Sequence, residues 1–333
     1  MTTHTAAQAP AIEVTDLRKS FEDNHVLQGI ELTVPAGTVY ALLGPNGAGK
    51  TTAVRILTTL ISGDAGTATV LGHDVSTEPD AIRLRIGVTG QFSAIDELLT
   101  GRENLQLMAD LNHLPRRQGR ARAQELLERF DLVDAADRGA ATYSGGMKRR
   151  LDLAMTLVSS PRLIFLDEPS TGLDPRSRRE LWQIIRELIN EGVTIFLTTQ
   201  YLEEADELAH KVGVLDRGTL VAEGTPAELK RRVPGGRVDV TYVDPVALST
   251  AAGAIAGATA DLESLTLSVP HDGTLGALQE LVGRLDSEAV ASLEVHTPDL
   301  DDVFLALTGH RPQPAEERPE NTTEAPMTEE VAR

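Results

Sequence analysis

Gly44-Pro45-Asn46-Gly47-Ala48-Gly49-Lys50-Thr51-Thr52 separates two runs of different character. Before it, Thr38-Val39-Tyr40-Ala41-Leu42-Leu43 is short and apolar, the pattern of a buried strand. After it, Ala53-Val54-Arg55-Ile56-Leu57 reads as a helix. A glycine-rich turn from strand to helix lets several backbone N–H groups converge on one anion, because no Cβ blocks the approach. The helix N-terminus adds partial positive charge, Lys50 adds a full one, and Thr51 offers a hydroxyl to Mg2+. The spacing G-x-x-x-x-G-K-T therefore predicts a phosphate loop at the edge of an α/β sheet.

Downstream, Leu163-Ile164-Phe165-Leu166-Asp167-Glu168-Pro169 runs four apolar residues straight into two carboxylates. A buried parallel strand reads this way, with its acids at the C-terminal end where α/β sheets hold ligands. There Asp167 is placed to orient Mg2+ through water and Glu168 to polarise an attacking water. The plainer alternative, a strand ending in solvated acids, weakens beside a phosphate loop. Val193 to Gln200 is another buried strand, and Lys211–Asp216 with Thr219–Gly224 forms a hairpin about Arg217-Gly218.

Upstream, Ala11 to Leu17 alternates as a half-buried strand does, and Val26 to Val34 does so loosely. Phe21 lies between them. It has two readings, an ordinary strand hydrophobe or a platform for a purine ring, and composition leaves both open.

The stretch 93–160 is charged and leucine-rich, with helical spacing in Glu103–Met108 and Arg120–Phe130, and is read as a helical subdomain. It ends in Thr142-Tyr143-Ser144-Gly145-Gly146-Met147-Lys148-Arg149-Arg150, a small-residue turn that opens another helix. That N-terminus can present N–H groups and a serine hydroxyl to an anion, although Ser-Gly-Gly alone is usually only an N-cap and turn.

With 333 residues the chain has room for two domains. A net charge of -19 argues against binding nucleic acid by neutralising its phosphates. The absence of cysteine removes disulfides, zinc-thiolate sites and cysteine nucleophiles. The scattered histidines show no metal-site spacing. No apolar run reaches the roughly 18 residues of a membrane span, and residues 1–10 form a polar, flexible start without a secretion signal. Any membrane role is expected to come through a partner.

Composition shifts at Val233-Pro234-Gly235-Gly236, the expected end of a main domain over 11–232. In the accessory segment 233–310, Arg237–Val243 and Leu265–Val269 alternate as strands, Leu275–Leu285 is helical, and Leu293–His296 forms a third strand. It carries no catalytic cluster. The tail 311–333, rich in Pro, Thr and Glu, is expected to be disordered.

Taken in order, these motifs resemble those of an ATP-binding-cassette (ABC) transporter ATPase over Ile12 to about Lys230. Gly44–Thr52 corresponds to Walker A, Gln91 to the Q-loop, Ser144-Gly145-Gly146 to the signature, Leu163–Glu168 to Walker B and Ser170-Thr171-Gly172-Leu173-Asp174 to the D-loop. Val88-Thr89-Gly90-Gln91, Tyr143–Met147, Thr198–Leu202 and Leu300–His310 are similar to the daunorubicin/doxorubicin-resistance branch, the ATP-binding subunits of drug exporters. The resemblance implies a P-loop NTPase fold of ABC type, with a RecA-like core, antiparallel β and helical subdomains, and a small C-terminal α/β domain.

It further implies ATP and Mg2+ as cofactors. Gly44, Pro45, Asn46, Gly47, Ala48, Gly49, Lys50, Thr51 and Thr52 hold the phosphates, Phe21 stacks on adenine, and Thr51, Gln91 and Asp167 serve the metal. Lys50, Glu168 and Gln200 are the catalytic set. Two cassettes pair head to tail, so that Ser144, Gly145 and Gly146 of one copy close over the nucleotide of the other, with Asp174 in the D-loop between them. A separate permease on the cytoplasmic face of the membrane is the expected partner, with the C-terminal module steadying assembly.

Two departures stand out. The signature reads Tyr-Ser-Gly-Gly-Met where the wider family has Leu-Ser-Gly-Gly-Gln, and Gln200 stands where the wider family has a histidine. Glutamine can donate to a γ-phosphate but cannot titrate near neutral pH, so Gln200 is read as a fixed sensor. Rival readings are a soluble ABC ATPase of DNA repair or translation, a module that sequesters a drug, and an exporter of lipid or glycan. Missing coiled-coil insertions, cysteine pairs and a second cassette count against the first. The full catalytic set counts against the second. The third stays open, because a cassette does not touch cargo.

Overall fold

The computed structural model describes residues 9–90, 94–232, 236–271, 274–286, 288–296 and 298–309. Gln91, most of the expected domain boundary, the first eight residues and the tail from 310 lie outside the described residues. The chain opens with β1 (Ile12–Phe21), β2 (Asn24–Val34), β3 (Val39–Leu43), α1 (Lys50–Leu57), β4 (Ala65–Val70), β5 (His73–Asp74), α2 (Pro79–Arg83) and β6 (Ile86–Thr89). The helical subdomain follows as α3 (Gly101–Leu111), α4 (Arg116–Arg129) and α5 (Gly145–Thr156). The chain then returns through β7 (Leu163–Asp167), α6 (Pro175–Asn190), β8 (Thr194–Thr199), α7 (Leu202–Leu208), β9 (Lys211–Asp216), β10 (Thr219–Gly224) and α8 (Pro226–Arg232). Last come β11 (Arg237–Tyr242), α9 (Pro245–Ala254), β12 (Thr259–Asp261), β13 (Thr266–Pro270), α10 (Leu275–Val282), β14 (Val290–His296) and α11 (Leu300–Thr308).

The central sheet has the order β10-β9-β3-β8-β7-β6 and is parallel except at β10. Strands β3, β7 and β8 are buried at every residue, as strands covered on both faces must be. Alternate residues serve opposite layers. Val39, Ala41, Leu43, Ile164, Leu166, Ile195 and Leu197 join the core beneath the helical side. Tyr40, Leu42, Leu163, Phe165 and Phe196 join the core shared with α1 and the antiparallel sheet β2-β1-β4-β5. Register does the rest. Leu42 pairs with Thr198 and Asp167 pairs with Thr198, so the phosphate loop, Asp167 and the end of β8 leave the sheet at one level.

The C-terminal sheet runs β12-β13-β11-β14 around Val238, Val240, Leu248, Leu267 and Val269. Its strands extend beyond the expected third one, since β14 begins at Val290, and the helix expected over 275–285 stops at Val282. The alanine-rich α9 lacks helical periodicity and was invisible to pattern reading. Within the segment read as an accessory domain, α11 turns back to the cassette. Its Leu300, Val303 and Phe304 join the main core near α7 and α8, behind an Asp299–Asp302 capping box. No helix among the described residues is long and apolar enough to cross a membrane.

Candidate functional site

The phosphate loop owes its shape to two glycines. Gly47 and Gly49 have φ of 80° and 109°, in the left-handed region open to glycine, and Gly49 leads directly into α1. No side chain caps α1 and no acid occupies its first turn, so its N-terminal N–H groups suit an anion. The turn of the β9–β10 hairpin supports the loop from behind, with Gly218 N–H donating to the Ala48 carbonyl at 3.0 Å.

Lys50 is the first residue of α1, and its ammonium folds back over the loop. Nζ donates to the carbonyls of Gly44 at 2.7 Å and Pro45 at 3.1 Å, and lies 3.2 Å from Glu168 Oε1. Burial pulls the Lys50 pKa down, while the charges of Glu168 and Asp167 oppose that shift. Thr51 Oγ1 donates to Asp167 Oδ1 at 3.3 Å, and Thr198 Oγ1 donates to the same oxygen. Lysine, hydroxyl and both carboxylates thus meet although the acids stand more than a hundred positions from the loop.

Glu168 has φ of 49°, a left-handed conformation unusual for a residue with a side chain. Its N–H is held by the carbonyl and hydroxyl of Thr198, both at 3.1 Å. Such strain concentrates at functional positions. Here it turns the chain at the end of β7 and directs the carboxylate at Lys50.

Ser144 caps α5, its Oγ accepting from Met147 N–H at 3.3 Å. A Cβ on Gly145 would meet nothing within 4 Å, whereas one on Gly146 would lie 2.5 Å from Ser177 Oγ on α6. Asp174 caps α6 through Arg176 N–H, Ser177 N–H and Ser177 Oγ, and the Ser177 bonds hold its carboxyl below the usual range. Phe21, at the β1–β2 turn, is 46% exposed with the Lys19 ammonium 5.3 Å from its ring centroid. Gln200 is buried at the end of β8. Gln91 lies outside the described residues.

Sequence reading missed four residues of this region. Thr198 looked like one more strand residue. Arg149, Asp152 and Glu204 sat in charged helical runs that resemble solvated faces, yet all three are buried or nearly so. Only the partners across the fold distinguish them.

The set also fits magnesium nucleotide. Lys50 and the loop N–H groups match phosphate, and the oxygens of Thr51 and Asp167 match a hard cation that shares its coordination with phosphate and water. Among the described residues no cluster of three or more His, Asp or Glu side chains has metal-holding geometry by itself.

A phosphate loop opposed by paired acids on a parallel sheet, flanked by an antiparallel sheet and a helical subdomain, defines a P-loop ATPase. The ABC transporter family model matches residues 27–171. A daunorubicin resistance ATP-binding protein of Streptomyces coeruleorubidus is 48% identical over 313 residues, covering 92% of this chain and 97% of that one. The Nod factor export ATP-binding protein I of Paraburkholderia xenovorans is 37% identical over 304 residues, covering 91% and 98%. Among solved structures, an ATP-binding subunit of an ABC transporter superposes with a TM-score of 0.60 at 28% identity, over 67% of this chain and 92% of that one. The chain belongs to the ABC transporter family as an ATP-binding, ATP-hydrolysing subunit.

Proposed function

We propose that this subunit powers a separate membrane permease that exports a hydrophobic drug. The convergence of Lys50, Thr51, Asp167 and Glu168 at the C-terminal ends of the central strands carries the hydrolytic part of the reading. The loop residues Gly44 to Thr52 hold the phosphates, and Thr51 and Asp167, joined by Gln91, hold Mg2+. An ion held there would supply neutralisation of the phosphate charge. Glu168 takes the proton of the attacking water, Gln200 donates to the terminal phosphate, and Phe21 stacks on the purine.

One copy supplies only half of an enclosing site. Ser144, Gly145 and Gly146 open a second helix N-terminus whose anion-binding character suits the far side of the same triphosphate, which supports a homodimer with two shared sites. Asp174 stands at the start of the helix beside that signature, in the place of a D-loop joint. The subunit reaches the cytoplasmic face of the membrane through its permease.

Cargo is inferred from relatives. The higher identity to a daunorubicin resistance protein than to a Nod factor export protein favours drug export. The test is daunorubicin accumulation in cells that carry this chain with a candidate permease subunit. Accumulation should fall with the wild-type pair and return with Glu168→Gln. Equal accumulation with and without the pair would refute drug export.

A further inference from the structure

Arg149 lies on α5, three residues beyond the Ser144–Gly146 segment, with its side chain only 13% exposed. Its Nε donates to the Pro169 carbonyl at 2.8 Å, and its Nη1 donates to the Gly90 carbonyl at 3.2 Å and to Asp152 Oδ2 at 3.3 Å. Pro169 directly follows Glu168, and Gly90 directly precedes Gln91. One guanidinium therefore grips the backbone beside the hydrolytic carboxylate and the backbone beside the expected metal-sensing glutamine. Asp152 completes the brace by accepting from Ala94 N–H at 3.1 Å, on the far side of Gln91.

A second layer lies behind it. Arg149 Nη2 is buried without a hydrogen-bond partner, and Ser170 and Glu204 are buried close by. The Arg149 charge acts on Glu204, and Ser170 stands beside that carboxylate. Glu204 Oε1 accepts from Trp182 Nε1 at 3.2 Å. A buried guanidinium costs more in desolvation than an apolar side chain of the same volume, so α5 could be packed onto the sheet without it. What an apolar residue could not do is hold two carbonyls and a carboxylate in a fixed plane.

We propose that Arg149 is a positioning residue, coupling α5 to Gly90, just past β6, and to the segment bearing Glu168, so that movement of the signature helix resets the hydrolytic carboxylate of the same chain. The proposal rests on the reading of Glu168 given above. It also supplies a reporter, because Trp182 is the chain's single tryptophan and its indole bonds to Glu204.

The experiment uses the full chain in three variants. Arg149→Met alone strands buried Asp152, so the main variant is Arg149→Met/Asp152→Asn, in which the asparagine still accepts from Ala94 N–H. Arg149→Lys keeps the charge and loses the fork. Glu168→Gln tests the underlying site. ATP affinity measured with a fluorescent analogue, and melting temperature, should stay close to wild type in the double variant, while kcat falls about tenfold or more. Trp182 emission should change on ATP addition in wild type and not in the double variant. Arg149→Lys, which keeps the charge but not the fork, should likewise keep a melting temperature close to wild type while kcat stays reduced.

Unchanged kcat and an unchanged Trp182 response in the folded double variant would overturn the proposal. So would a wild-type Trp182 signal indifferent to ATP, or a joint fall of affinity, stability and kcat. Undiminished hydrolysis in Glu168→Gln would instead overturn the reading of the site, a result that the tryptophan and affinity measurements keep separate.

Discussion

Lys50 Nζ and Glu168 Oε1 stand 3.2 Å apart, with side-chain exposures of 4% and 9%. The ammonium proposed for phosphate is thus engaged by the carboxylate proposed for water. On the proposed reading, a phosphate at the loop should compete with Glu168 for Lys50 and leave the carboxylate to the attacking water.

Replacing Glu168 by glutamine should separate binding from chemistry. The amide oxygen still accepts from Lys50, so folding and ATP affinity persist, but the proton acceptor is gone. Hydrolysis should fall by about 100-fold or more, the scale of general-base catalysis, and a nucleotide-bound dimer should accumulate on size exclusion. Hydrolysis at the wild-type rate would disprove the assignment.

Gln200 offers a contrast at the end of β8. If it donates one hydrogen bond to the terminal phosphate in the transition state, Gln200→Ala should lower kcat about tenfold, with little change in ATP affinity. Gln200→His should retain turnover and add a pH dependence near the ordinary histidine pKa of about 6.5. An alanine variant with normal ATPase and transport would remove the sensor role.

Two glycines should respond oppositely to alanine. A Cβ on Gly44 would stand 2.3 Å from the Leu215 carbonyl oxygen, so the backbone must shift, at a cost of about 1–3 kcal/mol. Thermal melting should drop by several degrees. Gly145, with open space around it, should tolerate alanine without loss of stability. Reduced turnover in Gly145→Ala at full stability would indicate that this position meets phosphate on a second copy, and unchanged turnover would count against that role.

Glu204 makes folding depend on pH in a direction that can be worked out. Burial holds its carboxyl above the ordinary range, against the pull of Thr199, Ser170, Trp182 and Arg149. The folded state therefore keeps this proton to higher pH than the unfolded chain, whose glutamate pKa is about 4.3, and stability falls as pH rises through that value toward the folded pKa. Glu204→Gln removes the effect. Its melting temperature relative to wild type should rise as pH increases above the ordinary glutamate value of about 4.3, and a difference independent of pH there would contradict the assignment.

The phosphate loop, the acids at the end of β7 and the helix opened by Ser144 were legible because each is a contiguous pattern whose chemistry lies within a few residues. Burial on both faces of the sheet also made β3, β7 and β8 readable as apolar runs. The C-terminal module was read in outline only. Alanine-rich α9 has no periodic face, and nothing in Leu300 to Thr308 tells which core Phe304 will enter.

By itself, the chain's sequence determined the local units: a strand, a glycine-rich turn and Lys50, then four apolar residues ending in Asp167 and Glu168. Their period and residue types set hydrogen bonding and burial at short range. Only the tertiary structure decided that Lys50 pairs with Glu168, that Thr198 holds both acids in place, and that Arg149 and Glu204, two members of charged runs, lie inside. Those facts depend on strand order and register, which bring together residues far apart in the chain and set the desolvation that gives each charge its partner.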